Sequence, residues 1–358
     1  MHTALWGLLL LAHVLPLSAW VESSLTLAPA SPGRKAHGTL AMAVRGNEAA
    51  SLVLPPVVLG TFQLKGEVVR NVVLQGIRDG ARAIDTASVY RNEADVGAAI
   101  RESGVARAEI FITSKLGPSE QGYEPARQAI RSSLDRLQTD YLDLYLIHWP
   151  GSSKTPTTSL KNRENRLGSW RALEEAHELG LVRHIGVSNF YIPHLANLLE
   201  HARIRPAVNQ VEFHPEYFDR PLLRFCQDQG VLIQGYSPLG SPDGVDSLLS
   251  HEPVVQAAAR LGITKAQVLI KWGVERTNGH SVVFRTSNVS RIAENLAAAE
   301  APLLSDADLQ NLDSIARRRI RAVGAGEGDS MAAAEEEVGA CEGETAGKKY
   351  CWDAQEIA

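Results

Sequence analysis

Cysteine is scarce here: Cys226, Cys341 and Cys351 are the only three in 358 residues. Three cannot build a disulfide framework, and with no C-x-x-C pair no metal site is suggested. Cys226 falls in a helical pattern and reads as a core residue, while nothing demands that Cys341 and Cys351 pair. Positive charge is not in excess either. A formal net charge of −5 leaves no basic footprint for nucleic acid. No G-x-G-x-x-G follows any apolar run, which removes the usual mark of an open dinucleotide-binding sheet. The longest apolar run, from Ala4 to about Val14, is too short to span a bilayer comfortably, so no stable membrane insertion is expected.

The two ends differ from the middle. "ALWGLLLLAHVLPLSAW" has the layout of a secretory signal peptide, and the stretch after it, rich in Ser, Thr and Ala with Arg34 and Lys35, resembles a plastid transit peptide. Residues 1–45 are therefore expected to be a bipartite presequence directing the chain to a plastid, with plain secretion as the alternative. The one N-glycosylation sequon is Asn288-Val289-Ser290. At the other end, residues 322–358 hold nine acidic residues against two basic ones in Gly- and Ala-rich sequence, and read as a disordered tail.

Between Pro55 and Glu300 the pattern alternates. Eight runs rich in Val, Ile and Leu are "PVVLGTF", "ARAIDTA", "IFITSK", "LDLYLIH", "VRHIGVSN", "PAVNQVEF", "VLIQGYS" and "HSVVFRT". Near-continuous apolar strands separated by helical segments indicate a parallel sheet buried on both faces. In "YEPARQAIRSSLDRLQ", Ile130, Leu134 and Leu137 share one helical face. "EADVGAAIRESG" and "RPLLRFCQDQG" both stop at a glycine. Eight such units in about 250 residues match a (β/α)8 TIM barrel, expected over residues 46–321.

In a barrel the chemistry stands at the C-terminal ends of the strands. Those ends read Thr61, Asp85, Lys115, His148, Ser188 with Asn189, Gln210, Tyr236 and Arg285. Each strand stays apolar until it delivers a polar group, which argues for one polar mouth. Tyr90 lies in the loop after the second strand. A tyrosine with its ordinary pKa near 10 is a poor acid at neutral pH, and a nearby ammonium is expected to lower that pKa. With a carboxylate holding the lysine and a neutral imidazole holding the substrate oxygen, these groups describe proton donation to a carbonyl oxygen. Taken singly, Lys115 reads as a salt-bridge partner, Tyr90 as a packed loop aromatic and His148 as a core histidine. A Schiff-base aldolase using Lys115 as nucleophile is the rival chemistry.

At these residues the chain resembles the aldo-keto reductase superfamily. "GTFQ", "ARAIDTASVYRNEADVGAAI", "IFITSKL", "YLDLYLIHWP", "IGVSNF", "NQVEFHP" and "YSPLGS" stand in that family's order from about Pro55 to Leu304. The resemblance implies a catalytic tetrad of Asp85, Tyr90, Lys115 and His148, with Tyr90 as general acid, a nicotinamide cofactor and a small carbonyl substrate. It implies that Ser188, Asn189 and Gln210 bind the carboxamide, that Tyr236 stacks on the nicotinamide ring, and that Ser237, Leu239 and Ser241 lie beneath the pyrophosphate. Gly60 and Thr61 match residues beside the cofactor, and Phe62 and Trp149 match apolar walls of the substrate pocket. At the adenosine end Phe284, Arg285 and Thr286 replace the proline, lysine and serine common in relatives, while Arg291, Glu294 and Asn295 keep their places. Two arginines and a hydroxyl favour a 2′-phosphate, hence NADPH. A cofactor-binding barrel without turnover, like the channel-associated members of the superfamily, is the second alternative. No metal is implied, the chain is expected to be a monomer, and the loop "SPDGVDSLLSHEP" after the seventh strand is expected to be short.

Overall fold

All eight apolar runs become parallel strands. The computed structural model describes residues 52–240 and 245–324. The expected presequence, Ser241, and the expected acidic tail from residue 325 on, with Cys341 and Cys351, lie outside the described residues. Residues 322–324 of that expected tail are the last of a helix. Strands β1 (Val57–Gly60), β2 (Ala83–Asp85), β3 (Phe111–Leu116), β4 (Leu142–Ile147), β5 (Val182–Ser188), β6 (Val208–Glu212), β7 (Leu232–Tyr236) and β8 (Ser281–Arg285) pair in chain order. β8 closes on β1, with Val57 opposite Val282 and Gly60 opposite Arg285. The fold is a closed (β/α)8 barrel.

Helices return the chain from the end of each strand to the start of the next. They are α1 (Gly66–Arg78), α2 (Glu93–Glu102), α3 (Tyr123–Leu137), α4 (Lys161–Glu178), α5 (Ile192–His201) and α6 (Arg220–Gln229). Their ends carry local signals. The Asp219 carboxylate accepts from Leu222 N at the start of α6, and Gly230 closes that helix at φ 69°, a conformation that costs glycine little. Between β7 and β8 the chain forms α7 (Val245–Ser250), α8 (Glu252–Leu261) and α9 (Lys265–Arg276). The expectation of a short loop there is corrected: Ser247 to Ser250 belong to a helix, and Pro253 stands in the first turn of the next. After β8 come α10 (Ile292–Leu296) and α11 (Asp306–Gly324). The barrel boundary expected at 321 falls inside α11.

Alternation along each strand sorts the side chains. Outward-facing residues such as Leu59, Ile84, Ile112, Tyr145 and Ile185 join the main apolar cluster with the helices. Inside the barrel, Leu54, Leu144, Leu146 and Val208 form one small cluster, and Val58, Ala83 and Val283 another. Two residues further along the same faces, apolar side chains give way to Asp85, His148 and Gln210, all buried. The period of two thus delivers polar groups to the mouth. No helix among the described residues is long and apolar enough to cross a membrane.

Candidate active site

Asp85 is the hub of the mouth. Its Oδ1 accepts from Lys115 Nζ at 2.5 Å, and its Oδ2 accepts from Gln210 Nε2 at 2.8 Å, across the barrel. Lys115 also donates to Thr86 O at 3.0 Å and is fully buried. Burial lowers the Lys115 pKa from its ordinary value, against the opposing pull of Asp85.

Tyr90 ends a short 3-10 turn, Ser88–Tyr90, beyond β2. Its ring lies 5.1 Å from that of Phe62 and 5.6 Å, edge on, from that of His148. Lys115 Nζ stands 5.2 Å from the ring centre. Burial, and after it the Asp85 charge, raise the Tyr90 pKa well above its ordinary value. The expectation that Lys115 lowers it is corrected: the ammonium is spent on Asp85, and removing a phenolate from water outweighs what remains of its field. Tyr90 is therefore held as a neutral phenol.

His148, just beyond β4, is likewise kept neutral. Burial and then the Lys115 charge push its pKa well below the usual value. Its Nδ1 is buried without a hydrogen-bond partner among the described residues. With the proton on Nε2, the ring offers a donor at the mouth beside Tyr90.

Two loop anchors escaped the sequence reading. The Asn92 amide donates to Thr61 O and Leu64 O and accepts from Thr86 Oγ1, fastening the loops after β1 and β2 together. Glu120 Oε2 accepts from Ser88 Oγ at 2.6 Å and from Gly117 N at 2.7 Å. This clasps the turn that bears Tyr90 to the loop that follows Lys115. Gly117 permits the approach, since a Cβ there would lie 2.7 Å from Val89 Cγ1. Both anchors are polar residues that fix loops, and only the fold reveals their partners.

The residues implied for a nicotinamide ring converge at the ends of β5 to β7. Ser188 Oγ donates to Gln210 O, and Asn189 Nδ2 donates to His148 O and Ser188 Oγ. Tyr236 Oη donates to Asn189 Oδ1 at 2.9 Å. Asn189 and Ser237 both adopt positive φ, 61° and 51°, a strain that collects at functional sites. Leu239 packs on the outer core. Thr61 Oγ1 donates to Asp85 O, and a Cβ on Gly60 would lie 2.9 Å from Val283 Cγ1. Phe62 is exposed and Trp149 half-buried, the latter stacked at 6.4 Å on His148.

At the end of β8 the arrangement is looser. Arg285 is exposed, donates from Nε to Phe62 O at 3.1 Å, and has no ion pair among the described residues. Arg291 is exposed and Asn295 buried. The Thr286 hydroxyl donates to Asn288 O and accepts from Asn288 N. The Glu294 carboxylate accepts from Thr264 Oγ1 at the start of α9. Two guanidiniums thus stand on this rim without an ion pair among the described residues, and Glu294 is bonded to the N-cap residue of α9.

The closed barrel and this mouth, with a buried ion pair, a neutral imidazole and a protonated phenol side by side, define a barrel enzyme equipped for proton transfer. The chain belongs to the aldo/keto reductase family, whose model matches residues 56–317. It is 42% identical over 260 residues to the glyoxal reductase of Bacillus subtilis, covering 72% of this chain and 87% of that one. It is 36% identical over 287 residues to the glycerol 2-dehydrogenase (NADP(+)) of Saccharomyces cerevisiae, covering 74% and 88%. The crystal structure of MGS-M4, an aldo-keto reductase from a Medee basin deep-sea metagenome library, superposes with a TM-score of 0.68 at 37% identity, covering 74% of this chain and 92% of that one.

Proposed function

We propose that this oxidoreductase reduces small aldehydes and ketones with NADPH, using Tyr90 as the proton donor. The observation that carries the reading is the protonated Tyr90 phenol between the neutral His148 ring and the Lys115–Asp85 pair. The site fits the cofactor. Gln210 Oε1 has no partner among the described residues, and Ser188, Asn189 and Tyr236 form a hydrogen-bonded group joined to the Gln210 backbone carbonyl. Arg285 and Arg291 supply charge for a 2′-phosphate.

NADPH, when bound, supplies the hydride. This chain supplies the proton. His148 Nε2–H holds the carbonyl oxygen, and Tyr90 Oη–H delivers its proton there as negative charge develops. An alkoxide is more basic than a phenolate, so transfer from even a raised tyrosine runs downhill. The Lys115 ammonium then stabilises the phenolate left behind. Lys115 donates to Asp85 and Thr86, so its nitrogen is not a free nucleophile, which weighs against Schiff-base chemistry.

The test is a scan of NADPH and NADH oxidation against diverse aldehydes and ketones. Turnover with a preference for NADPH is expected. Tyr90→Phe should lower kcat by roughly 100-fold or more, while NADPH binding, followed by fluorescence titration, stays intact. Tight NADPH binding with no carbonyl reduced by the native enzyme would overturn the reading in favour of a cofactor-binding barrel.

The order of a signal-like and then a transit-like stretch supports a second proposal, a plastid location for the mature chain. The Asn288 sequon beside Arg285 supports it too, because a glycan there would crowd the phosphate end of the site. An unglycosylated protein beginning between Trp20 and about Asn47, found by mass spectrometry of native material, is the expected result. A glycan on Asn288 of active enzyme would refute it.

A further inference from the structure

Beneath the mouth runs a chain of buried hydrogen bonds that proton donation leaves unexplained. Gln210 Nε2 donates to Asp85 Oδ2 at 2.8 Å and to Gln234 Oε1 at 2.7 Å. Gln234 Nε2 donates to Ser281 Oγ at 2.9 Å, and Ser281 Oγ donates to Pro55 O at 2.6 Å. Gln234 and Ser281 are wholly buried, in mid-β7 and at the start of β8. No general requirement of a barrel interior calls for a glutamine there, since apolar layers fill that space.

Both ends of the chain can only accept. The Asp85 carboxylate requires a donor from Gln210, and the Pro55 carbonyl requires one from Ser281. Ser281, having given its only proton to Pro55, must accept from Gln234. The Gln234 amide therefore presents Nε2 to Ser281 and Oε1 to Gln210. The Asp85 bond is enough to set which end of the Gln210 amide faces inward. One bond, however, leaves the amide free to swivel about it. The second bond, to Gln234, fixes the plane. With both hydrogens of Nε2 engaged, Gln210 Oε1 is left without a partner among the described residues at fixed orientation, Ser188 and Asn189 being bonded to backbone, to each other and, through Asn189 Oδ1, to Tyr236 Oη.

We propose that Gln234 and Ser281 are positioning residues that lock the Gln210 amide so that its Oε1 receives an N–H of the cofactor carboxamide. The lock acts only through Gln210 and rests on the NADPH reading above. Removing Gln234 releases the amide plane. Removing the Ser281 hydroxyl frees the Gln234 amide to flip, which would set two NH2 groups face to face and turn Gln210 aside.

The experiment compares binding of NADP+ and of its 3-acetylpyridine analogue, in which a methyl replaces the carboxamide NH2, by isothermal titration calorimetry. The native enzyme should bind NADP+ more tightly than the analogue. In Gln234→Met and in Ser281→Ala the Kd for NADP+ should rise roughly three- to tenfold. The Kd for the analogue should stay nearly unchanged, so that discrimination collapses toward one. Ser281→Ala removes a single oxygen and carries the test if Gln234→Met folds poorly. Native discrimination retained in Ser281→Ala would overturn the lock alone, as would an equal loss of affinity for both ligands, the mark of a purely structural role. Failure of the native enzyme to bind NADP+ would overturn the lock together with the cofactor reading on which it rests.

Discussion

Burial of His148 beside the Lys115 charge keeps the imidazole neutral in the folded protein, and this couples stability to pH with a definite sign. In the unfolded chain the same ring takes up a proton as pH falls below about 6.5. The folded state does not, so the unfolded state binds more protons and gains. Native stability should therefore fall as pH drops below about 6.5, by up to about 1.4 kcal/mol per pH unit for this one group. His148→Gln should flatten that acid limb, as read from urea midpoints at pH 7 and pH 5.5. An unchanged limb would mean that the neutral imidazole contributes nothing to it. At this scale the sequence was informative where a polar residue ended an apolar strand, as at Asp85, Lys115 and His148. It was least informative about charge. Spacing placed Lys115 near Tyr90, but only the structure shows the ammonium committed to Asp85 and the phenol pushed up, not down. Gln234 carries a signal of its own, a polar side chain within the strand before the polar end of "VLIQGYS".

Strands were legible because a parallel sheet covered on both faces needs continuous apolar runs, and Tyr145, Val187 and Ile233 supply them. Turns were not, because their contacts join segments far apart in sequence. The turn bearing Tyr90 shows this. Ser88 and Glu120 are 32 positions apart, and no local pattern pairs them. Yet their bond holds the acid's backbone to the loop that follows Lys115. Glu120→Ala removes the acceptor of both Ser88 Oγ and Gly117 N. It should lower kcat by roughly tenfold through a misplaced Tyr90, while KM for NADPH changes little and stability falls by about 1–2 kcal/mol. Ser88→Ala should show a smaller drop in kcat. The two effects should not add in the double variant, because they break one interaction. Steady-state kinetics over the four proteins decides it. Strictly additive losses, or a rise in KM for NADPH alone, would remove the clasp from the placement of Tyr90.

The last described helix, α11, packs its apolar face into the main core outside the closed ring of strands. Leu312 and Ile315 bury the inner face of α11, and Asp313 between them is its polar anchor. One carboxylate accepts from Trp272 Nε1 at 2.9 Å, from Arg276 Nη2 at 2.8 Å and from Arg220 Nη2 at 3.4 Å, joining α11 to α9 and α6. The sequence places the end of the barrel inside this helix, three residues short of its end, but carries no sign of the anchor, since an aspartate in a polar-looking helix resembles any solvated one. The two arginines are partly exposed, so their ion pairs are worth little. The indole N–H is different, because Trp272 is wholly buried and would lose its acceptor. Asp313→Ala should therefore cost roughly 2–3 kcal/mol, a drop in Tm of roughly 4–10 °C for a domain of this size. Asp313→Asn keeps an oxygen for the indole and should lose less than half as much. Neither change reaches the mouth of the barrel, so kcat at low temperature should hold in both. Thermal unfolding of the three proteins is the measurement. Equal losses from Ala and Asn would assign the anchor to its charge rather than to the buried indole, and an unchanged Tm in both would mean that Leu312 and Ile315 hold α11 unaided.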